Sequence, residues 1–436
     1  MKTNDRIKTA VYSLLGIMTL GLLLAYLIRR EFEPWFLALI MLLAAAAVFM
    51  HIRNTRTIPS YIERTLGIAG TGSGRIMAFD HLRLMALCGV IITHAVQIDM
   101  EGMSPLFAKA AVMIWVVTMS ANGIYVMLSG ALLYRWKEEP VSVFYVRRFA
   151  EVVIPLIVYY LWYLAVNYHL GRGWNWVSFR SVPEWLLTGR IREAPHLWLV
   201  YVILSVYLAV PFMRIALRDL FREEEDRRTG FYRTFTRVLL ALFIVQAATP
   251  FINLGLVYAP FALQIPFTGW LLISLYGFWA SLPESRRYDR VTIPLGAAAL
   301  AAICVICAFD PGEEVRAAWC LNDAFLPAML CTGLFAAVFR AKKLFSGMNP
   351  VFRSICRYSY GIMLIHWYTI HFIVRDRFHV HAYMWGGAGI LLSLILTLVF
   401  SWIICVIIDN LIVWPLKKIW YLIFDILRNC LTRKSA

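Results

Sequence analysis

The residues that most invite a chemical interpretation open an apolar segment, FDHLRLMALCGVIITH, at positions 79–94. Ionisable side chains inside a membrane-length apolar run are costly, so each is a candidate functional group. Arg83 and His94 are eleven residues apart, which in an α-helix is about 16 Å of rise with about 20° of residual rotation. Both side chains therefore leave the same helix face, with the arginine at the boundary and the histidine deeper. The structural alternative is a boundary arginine that reaches water and a histidine that bonds a neighbouring helix.

A second polar group lies in SGALLYRWKEEPVSVFYVRRFAEVVIP, residues 129–155. Ser129 and Gly130 end one apolar run, and Arg147 and Arg148 precede the next. An arginine pair at the cytoplasmic face can hold phosphates through charge-assisted hydrogen bonds. Taken alone, the pair is more typical of the basic flank that orients a membrane span.

Two further segments place histidines in apolar surroundings. APHLWLVYVILSVYLAVP carries His196 at its start, where the choice lies between an interfacial residue and one that binds an acceptor. ICRYSYGIMLIHWYTIH carries His366 in mid-span and His371 near the outer end. Two imidazoles at this depth are hard to explain as packing, although one can support a helix contact.

Composition identifies the kind of molecule that must position these residues. Of 436 residues, 61% are hydrophobic and 16% are charged, against about 25% charged in soluble domains. Apolar runs of roughly 17–25 residues recur along the chain, and each can cross the bilayer. We therefore predict an all-α, polytopic transmembrane bundle of about twelve spans, near residues 10–28, 34–51, 82–98, 109–134, 149–167, 196–216, 238–256, 263–281, 291–309, 323–340, 354–374 and 387–413.

The net charge of +16 is distributed as expected for a membrane protein. It is therefore evidence for the orientation of the spans rather than for a binding partner. Basic residues collect in alternate connections, and the others are acidic, mixed or apolar. This predicts that both termini are cytoplasmic, in an inner membrane. The sequence has no stripe of basic residues interleaved with aromatic ones, so nucleic-acid binding is not predicted. The basic connections are 52–78, 135–148, 214–237, 284–290 and 340–357.

The chain divides into four predicted parts. Residues 1–51 form two leading spans, 52–78 a basic, glycine-rich cytoplasmic linker, 79–420 a ten-span core, and 421–436 a basic cytoplasmic tail. The linker sequence GIAGTGSGR lacks the Lys-Ser/Thr ending of a phosphate loop, so a flexible linker is favoured. The outer connection 168–195 carries Trp174, Trp176 and Trp185 and is long enough to fold back as a lid or sugar platform. Cys304 and Cys307 lie inside an apolar run without a second pair, which favours packing over a metal or redox site.

Five of these segments, in this order, resemble the acyltransferase-3 family of bacterial membrane O-acyltransferases, nearest to its stand-alone O-acetyltransferases. Asp80-x-x-Arg83 followed by ten residues and His94 resembles the family's Arg-x10-His signature. The other four are NGIYVMLSGALL, FYVRRFAEVVIP, HLWLVYVILSVYLAVP and RYSYGIMLIH. The resemblance covers about Phe79 to Trp420. It departs from the family at Glu151, where many members have another arginine, and in the two leading spans.

The resemblance implies a donor, acetyl-CoA or another acyl-CoA, on the cytoplasmic side and a carbohydrate or lipid-linked glycan as acceptor, with no metal. It implies that His94 is the essential histidine and Arg83 its partner, and that Arg147 and Arg148 hold the donor. It further assigns substrate binding to His196, His366, Ser129 and Asp80.

Histidine suits the step in which a hydroxyl loses its proton, because its ordinary pKa lies near the working pH. Arg83 can order the thioester end of the donor or oppose developing negative charge. Direct transfer and a covalent acyl-histidine relay both remain open. The rival class is a carrier or flippase for a lipid-linked sugar that uses the histidines for proton coupling. The sequence has no HExxH, GxSxG or P-loop motif that would indicate other chemistry.

Overall fold

The computed structural model describes residues 63, 65–67, 76–167, 184, 194–221, 223–255, 269–309, 312–341 and 343–434. Every regular element within these ranges is helical, which confirms the all-α prediction. The helices are α1 (Met77–Asp99), α2 (Pro105–Met119), α3 (Ala121–Leu133), α4 (Val141–Arg148), α5 (Ile154–Asn167), α6 (Trp198–Ala216), α7 (Glu225–Gly255), α8 (Gly269–Ser281), α9 (Asp289–Phe309), α10 (Glu313–Cys320), α11 (Phe325–Arg340), α12 (Pro350–Tyr368), α13 (Ala388–Ile408) and α14 (Trp414–Lys434).

Wider and tighter helical turns join or extend these elements. The π-helical turn Phe149–Val153 joins α4 to α5, Thr369–Arg375 extends α12, and Asp409–Val413 joins α13 to α14. Such turns are rare and recur at functional sites, because they shift the register of the side chains that follow. The 3-10 turns are Met100–Gly102, Pro195–Leu197, Arg218–Phe221, Pro283–Tyr288 and Met384–Gly387.

Seven helical stretches within the described ranges are long and apolar enough to cross a membrane. They are Met77–Gly102, Pro105–Leu133, Pro195–Ala216, Glu225–Thr249, Pro283–Phe309, Glu313–Arg340 and Ala388–Cys430. Each of the ten spans predicted after residue 78 overlaps a helix within the described residues. The two leading spans and the outer tryptophans lie outside the described residues, so the count of twelve stays a prediction. Residues 421–434, predicted as a tail, continue α14.

Helix α1 occupies the centre of the bundle. It packs against α2, α3, α12 and α13, and its residues Leu82, Leu87 and Ile91 are fully buried. The helix begins after the extended residue Ile76 and carries Asp80 in its first turn, where a carboxylate complements the helix dipole. The side chains on α1 are therefore held in place by helices on several sides.

Close helix contacts give the bundle its rigidity. In the α3–α8 pair, a Cβ added at Gly130 would clash with the carbonyl oxygen of Ser274, and one at Gly277 would clash with that of Met127. Glycine lets two backbones approach closely, as is common between membrane helices. Beside this contact, the Tyr134 and Ser274 hydroxyls lie 2.7 Å apart in a hydrogen bond.

The end of α1 is fixed to the connection between α12 and α13. The buried Asp99 accepts hydrogen bonds from the Ala382 amide (2.7 Å) and from His381 Nδ1 (3.1 Å), and Arg375 Nε lies 3.7 Å from its carboxylate. Buried carboxylates are stable only with such partners. This ionic and hydrogen-bonded contact therefore ties residues 375–382 to α1.

Residues 65–67, in the middle of the predicted linker, contact the first half of α12. The Tyr358 hydroxyl donates to the Thr65 carbonyl and the Ser354 hydroxyl donates to that of Leu66. Gly67 has a left-handed φ of 72°. The remaining glycines of the linker, Gly70, Gly72 and Gly74, lie outside the described residues.

Candidate active site

Three histidines from distant parts of the sequence meet at one pocket. His94 comes from α1, His196 from the turn before α6, and His366 from α12. Their ring centroids are separated by 5.2 Å (His94–His366), 6.3 Å (His94–His196) and 4.9 Å (His196–His366). All three line a cavity of about 210 Å³, which we call the histidine pocket. The structure thus brings together three of the residues singled out from the sequence.

Carbonyl groups determine which nitrogen of the two deeper histidines carries the proton. His366 Nδ1 lies 2.7 Å from the Met363 carbonyl oxygen, and His196 Nε2 lies 3.0 Å from that of Leu364. A carbonyl can only accept, so these nitrogens are the N–H donors. The opposite nitrogens, His366 Nε2 and His196 Nδ1, are buried and have no hydrogen-bond partner among the described residues. In the neutral imidazole each presents a lone pair.

His94 is half-buried at the edge of the pocket. Its Nδ1 lies 3.3 Å from Gln97 Oε1, so Nδ1 donates to this oxygen and Nε2 keeps its lone pair. A general base needs such an uncommitted lone pair. The Trp367 ring contacts His94 edge-on at 5.1 Å and is stacked on His196 at 5.8 Å. One indole therefore orients two imidazoles.

A second, larger cavity lies beside Arg83, in the first half of α1. It measures about 580 Å³ and its walls include Arg83, Arg148 and Arg357; we call it the arginine cavity. Arg83 Nη1 is 3.0 Å from Asp80 Oδ1, and Arg148 Nη1 is 2.8 Å from Glu151 Oε2. Guanidinium groups of this kind recognise carboxylates and phosphates. The cavity therefore suits an anionic ligand.

The two cavities meet at a single side chain. Among the described residues, only Met363 lines both the histidine pocket and the arginine cavity. Arg83 lines the arginine cavity and His94 lines the histidine pocket. One face of α1 therefore contributes to both cavities, at positions about 16 Å apart along the helix. This arrangement places arginine side chains in one cavity and a histidine with an uncommitted nitrogen in the neighbouring one.

The other residues predicted from the sequence have different surroundings. Ser129 lines the arginine cavity and donates to the Tyr125 carbonyl oxygen at 3.1 Å. Asp80 lines neither cavity but pairs with Arg83. Arg147 is paired with Glu139 and does not line the arginine cavity, unlike Arg148. Their proposed roles stay predictions.

Sequence reasoning did not single out Arg357, Trp367 or Gln97. Arg357 stands in the RYSYGIMLIH segment, but a basic residue at the start of a span is equally typical of a topology signal. Trp367 directly follows His366, and Gln97 lies one helical turn beyond His94. That turn spacing is the only sequence signal that indicates a contact with an imidazole.

The described part of the chain contains no group of three His, Cys, Asp or Glu side chains placed to hold a metal ion. The chemistry that these residues can perform is proton transfer at His94 and anion binding at the arginines.

Comparison with known proteins gives one decisive match. Searches of curated proteins and of solved structures found no match to the chain. The sequence profile of an acyltransferase domain matches residues 76–407, from the residue before α1 almost to the end of α13. The matched region contains every residue of both cavities except Gly67. With its apolar helices and the five ordered motifs, the chain belongs to the acyltransferase-3 family and is a membrane acyltransferase.

Proposed function

We propose that the protein transfers an acyl group, in the first instance acetyl, from acyl-CoA to a hydroxyl of a cell-surface or lipid-linked carbohydrate. The observation that carries this proposal is the pair of cavities on either side of Met363. One has arginines in its walls and the other has histidines. A donor with phosphates at one end and a thioester at the other fits this order.

The donor end of the proposal rests on Arg83, Arg148 and Arg357, which all line the arginine cavity. Coenzyme A carries a pyrophosphate and a further phosphate on its ribose, so several guanidinium groups are needed to balance its charge. Because Arg83 is about 16 Å from His94 along α1, we assign it to the phosphates rather than to the reacting carbonyl.

The acceptor end rests on the histidine pocket. Its walls combine imidazole nitrogens with the indole rings of Trp198 and Trp367 and the amide of Asn122. Ligand sites typically combine apolar walls with a few polar groups that set orientation. A sugar offers hydroxyls to the polar groups and C–H faces to the indoles.

The reaction then follows from the tautomer of His94. The acceptor oxygen attacks the thioester carbonyl carbon while His94 Nε2 takes the hydroxyl proton. The new C–O bond forms, the C–S bond breaks, and the imidazolium returns the proton to the departing thiolate. The products are the ester and free coenzyme A, and no net proton remains on the enzyme.

The test is thiol release by the purified full-length protein with acetyl-CoA and a panel of glycans. Loss of a general base slows such a reaction by about 100-fold or more, so His94→Ala should lose turnover on this scale. His81→Ala is the matched control, because His81 lies on α1 but lines neither cavity. Sugar movement across vesicles without thiol release would favour the carrier class. Full turnover by His94→Ala would show that His94 is not the general base.

We also propose that the arginine cavity faces the bacterial cytoplasm and that both termini lie on this side. Basic residues in the connections on this side support the orientation. Cys430 is exposed near the end of α14 and serves as a reporter. An impermeant thiol reagent should label it in inverted vesicles but not in intact cells, with Cys430→Ser as the control. Labelling in intact cells would show that Cys430 lies on the outer side of the membrane and would contradict the proposed orientation.

A further inference from the structure

One flexible residue lines both cavities. Met363 lies on α12, is 4% exposed, and contributes to the walls of both the arginine cavity and the histidine pocket. Methionine is unbranched and has three rotatable bonds, so it adapts to irregular spaces. At this position a change of rotamer alters the space on the side of both cavities.

The backbone that carries this side chain is fixed. The Met363 carbonyl oxygen accepts the hydrogen bond of His366 Nδ1 at 2.7 Å, within α12. The side chain can therefore move without displacing its own helix. The backbone of Met363 thus orients His366, while the residue also contributes to the walls of both cavities.

We propose that Met363 is the residue that selects the size of the transferred acyl group. This inference rests on the proposed function, because it assumes a thioester that enters from the arginine cavity. The acyl group is the leading end of the donor and must pass Met363 before its carbonyl reaches His94. The unbranched pantetheine arm that follows is slender, so a narrow opening restricts the acyl group more than the arm.

The volume of the histidine pocket supports the same conclusion. The pocket of about 210 Å³ has to hold both the acyl group and the acceptor hydroxyl at the moment of transfer. A longer acyl chain needs additional space, and Met363 is the described residue of this pocket whose side chain also lines the arginine cavity from which the donor enters. Met363 therefore limits acyl length both during passage and at reaction.

The test is the ratio of kcat/KM for butyryl-CoA to that for acetyl-CoA. One methylene in a hydrophobic site changes kcat/KM by about 10–200-fold, so Met363→Ala should raise this ratio by about ten-fold or more. Met363→Phe should lower turnover with acetyl-CoA, because the larger side chain leaves less room for the acetyl group to pass toward His94. The control is Ile362→Ala, which removes a fully buried side chain from the same helix that lines neither cavity.

A gentler variant covers the case in which the alanine protein does not fold. Met363→Cys should also raise the ratio, and methylthiolation of the new thiol, which restores a side chain of methionine length, should return it. Wild-type protein treated in the same way controls for the native cysteines.

The outcomes separate the inference from the proposed function. No thiol release by the wild type with any acyl-CoA would end the proposed function itself. Wild-type transfer of acetyl, with the same butyryl-to-acetyl ratio in Met363→Ala, Met363→Cys and Ile362→Ala, would refute the role of Met363 alone. So would full acetyl transfer by Met363→Phe.

Discussion

Glu151 offers a quantitative test of the arginine cavity. Its carboxylate forms an ion pair with Arg148, the guanidinium group that we assign to the donor phosphates. Glu151 Oε2 lies 2.8 Å from Arg148 Nη1, and both residues line the cavity. A phosphate bound by Arg148 would therefore have a carboxylate close to it. Replacing that carboxylate by a neutral amide in Glu151→Gln should strengthen donor binding.

The size of the effect follows from distance and exposure. The side chains of Arg148 and Glu151 are 23% and 46% exposed, so the interaction is strongly screened and a dielectric close to that of water applies. Two unit charges about 6 Å apart then repel by about 0.7 kcal/mol, or about threefold in affinity. Glu151→Arg, which introduces the arginine common in the family, should reverse the sign and improve affinity about tenfold over the wild type.

The assay is the KM for acetyl-CoA at saturating acceptor and low salt, together with direct binding measurements. S-acetyl-pantetheine is the matched substrate because it carries the same thioester without a phosphate, and its KM should not respond to either substitution. The gain should shrink at about 1 M salt, where the Debye length is about 3 Å. An unchanged or higher KM for acetyl-CoA in both variants would refute the assignment of Arg148 to the donor phosphates.

Two further predictions concern the bundle itself. Gly130→Ala should destabilise the protein by at least about 1–3 kcal/mol, because the new methyl group meets the Ser274 backbone; a thermal unfolding midpoint equal to that of the wild type would contradict the close contact. Asp99→Asn should cost about 1–3 kcal/mol, because one of the two donors from His381 and Ala382 loses its acceptor. The exposed Glu101→Gln is its control, and equal thermal stability of the two variants would contradict a structural role for Asp99.

The helix that carries Arg83 and His94 could be predicted from the sequence. A spacing of eleven residues has one geometric meaning in an α-helix, and α1 runs without interruption through both positions. The lengths of the apolar runs predicted the helices of the ten core spans. Local spacing is sufficient here because both residues belong to one element.

The meeting of His196 with His366 could not be derived from spacing. These residues are 170 positions apart, and their 4.9 Å separation depends on how α6, α12 and the turn before α6 pack. Such packing depends on contacts that no periodicity encodes. The family resemblance indicated these positions as a group, but only the structure gives their geometry and tautomers.

The difference between Arg147 and Arg148 was also beyond the sequence. Adjacent residues on a helix point about 100° apart, so only one of the pair can face a given cavity. Arg147 pairs with Glu139, whereas Arg148 lines the arginine cavity. The π-helical turn at Phe149–Val153 changes the register directly afterwards, and a regular 3.6-residue repeat does not predict it.

The spread of the histidine pocket along the chain has a consequence for biosynthesis. His94 is made 272 residues before His366, which at about 5–20 residues per second is a delay of about 14–54 s. During this interval α1 already has α2 and α3 as neighbours, but Asp99 has not yet met His381 and Ala382. Nascent chains that stop after α11 should therefore contain the α3–α8 and α9–α11 pairs without a histidine pocket. Translation of the residues from α12 onward converts an inserted bundle into a binding site.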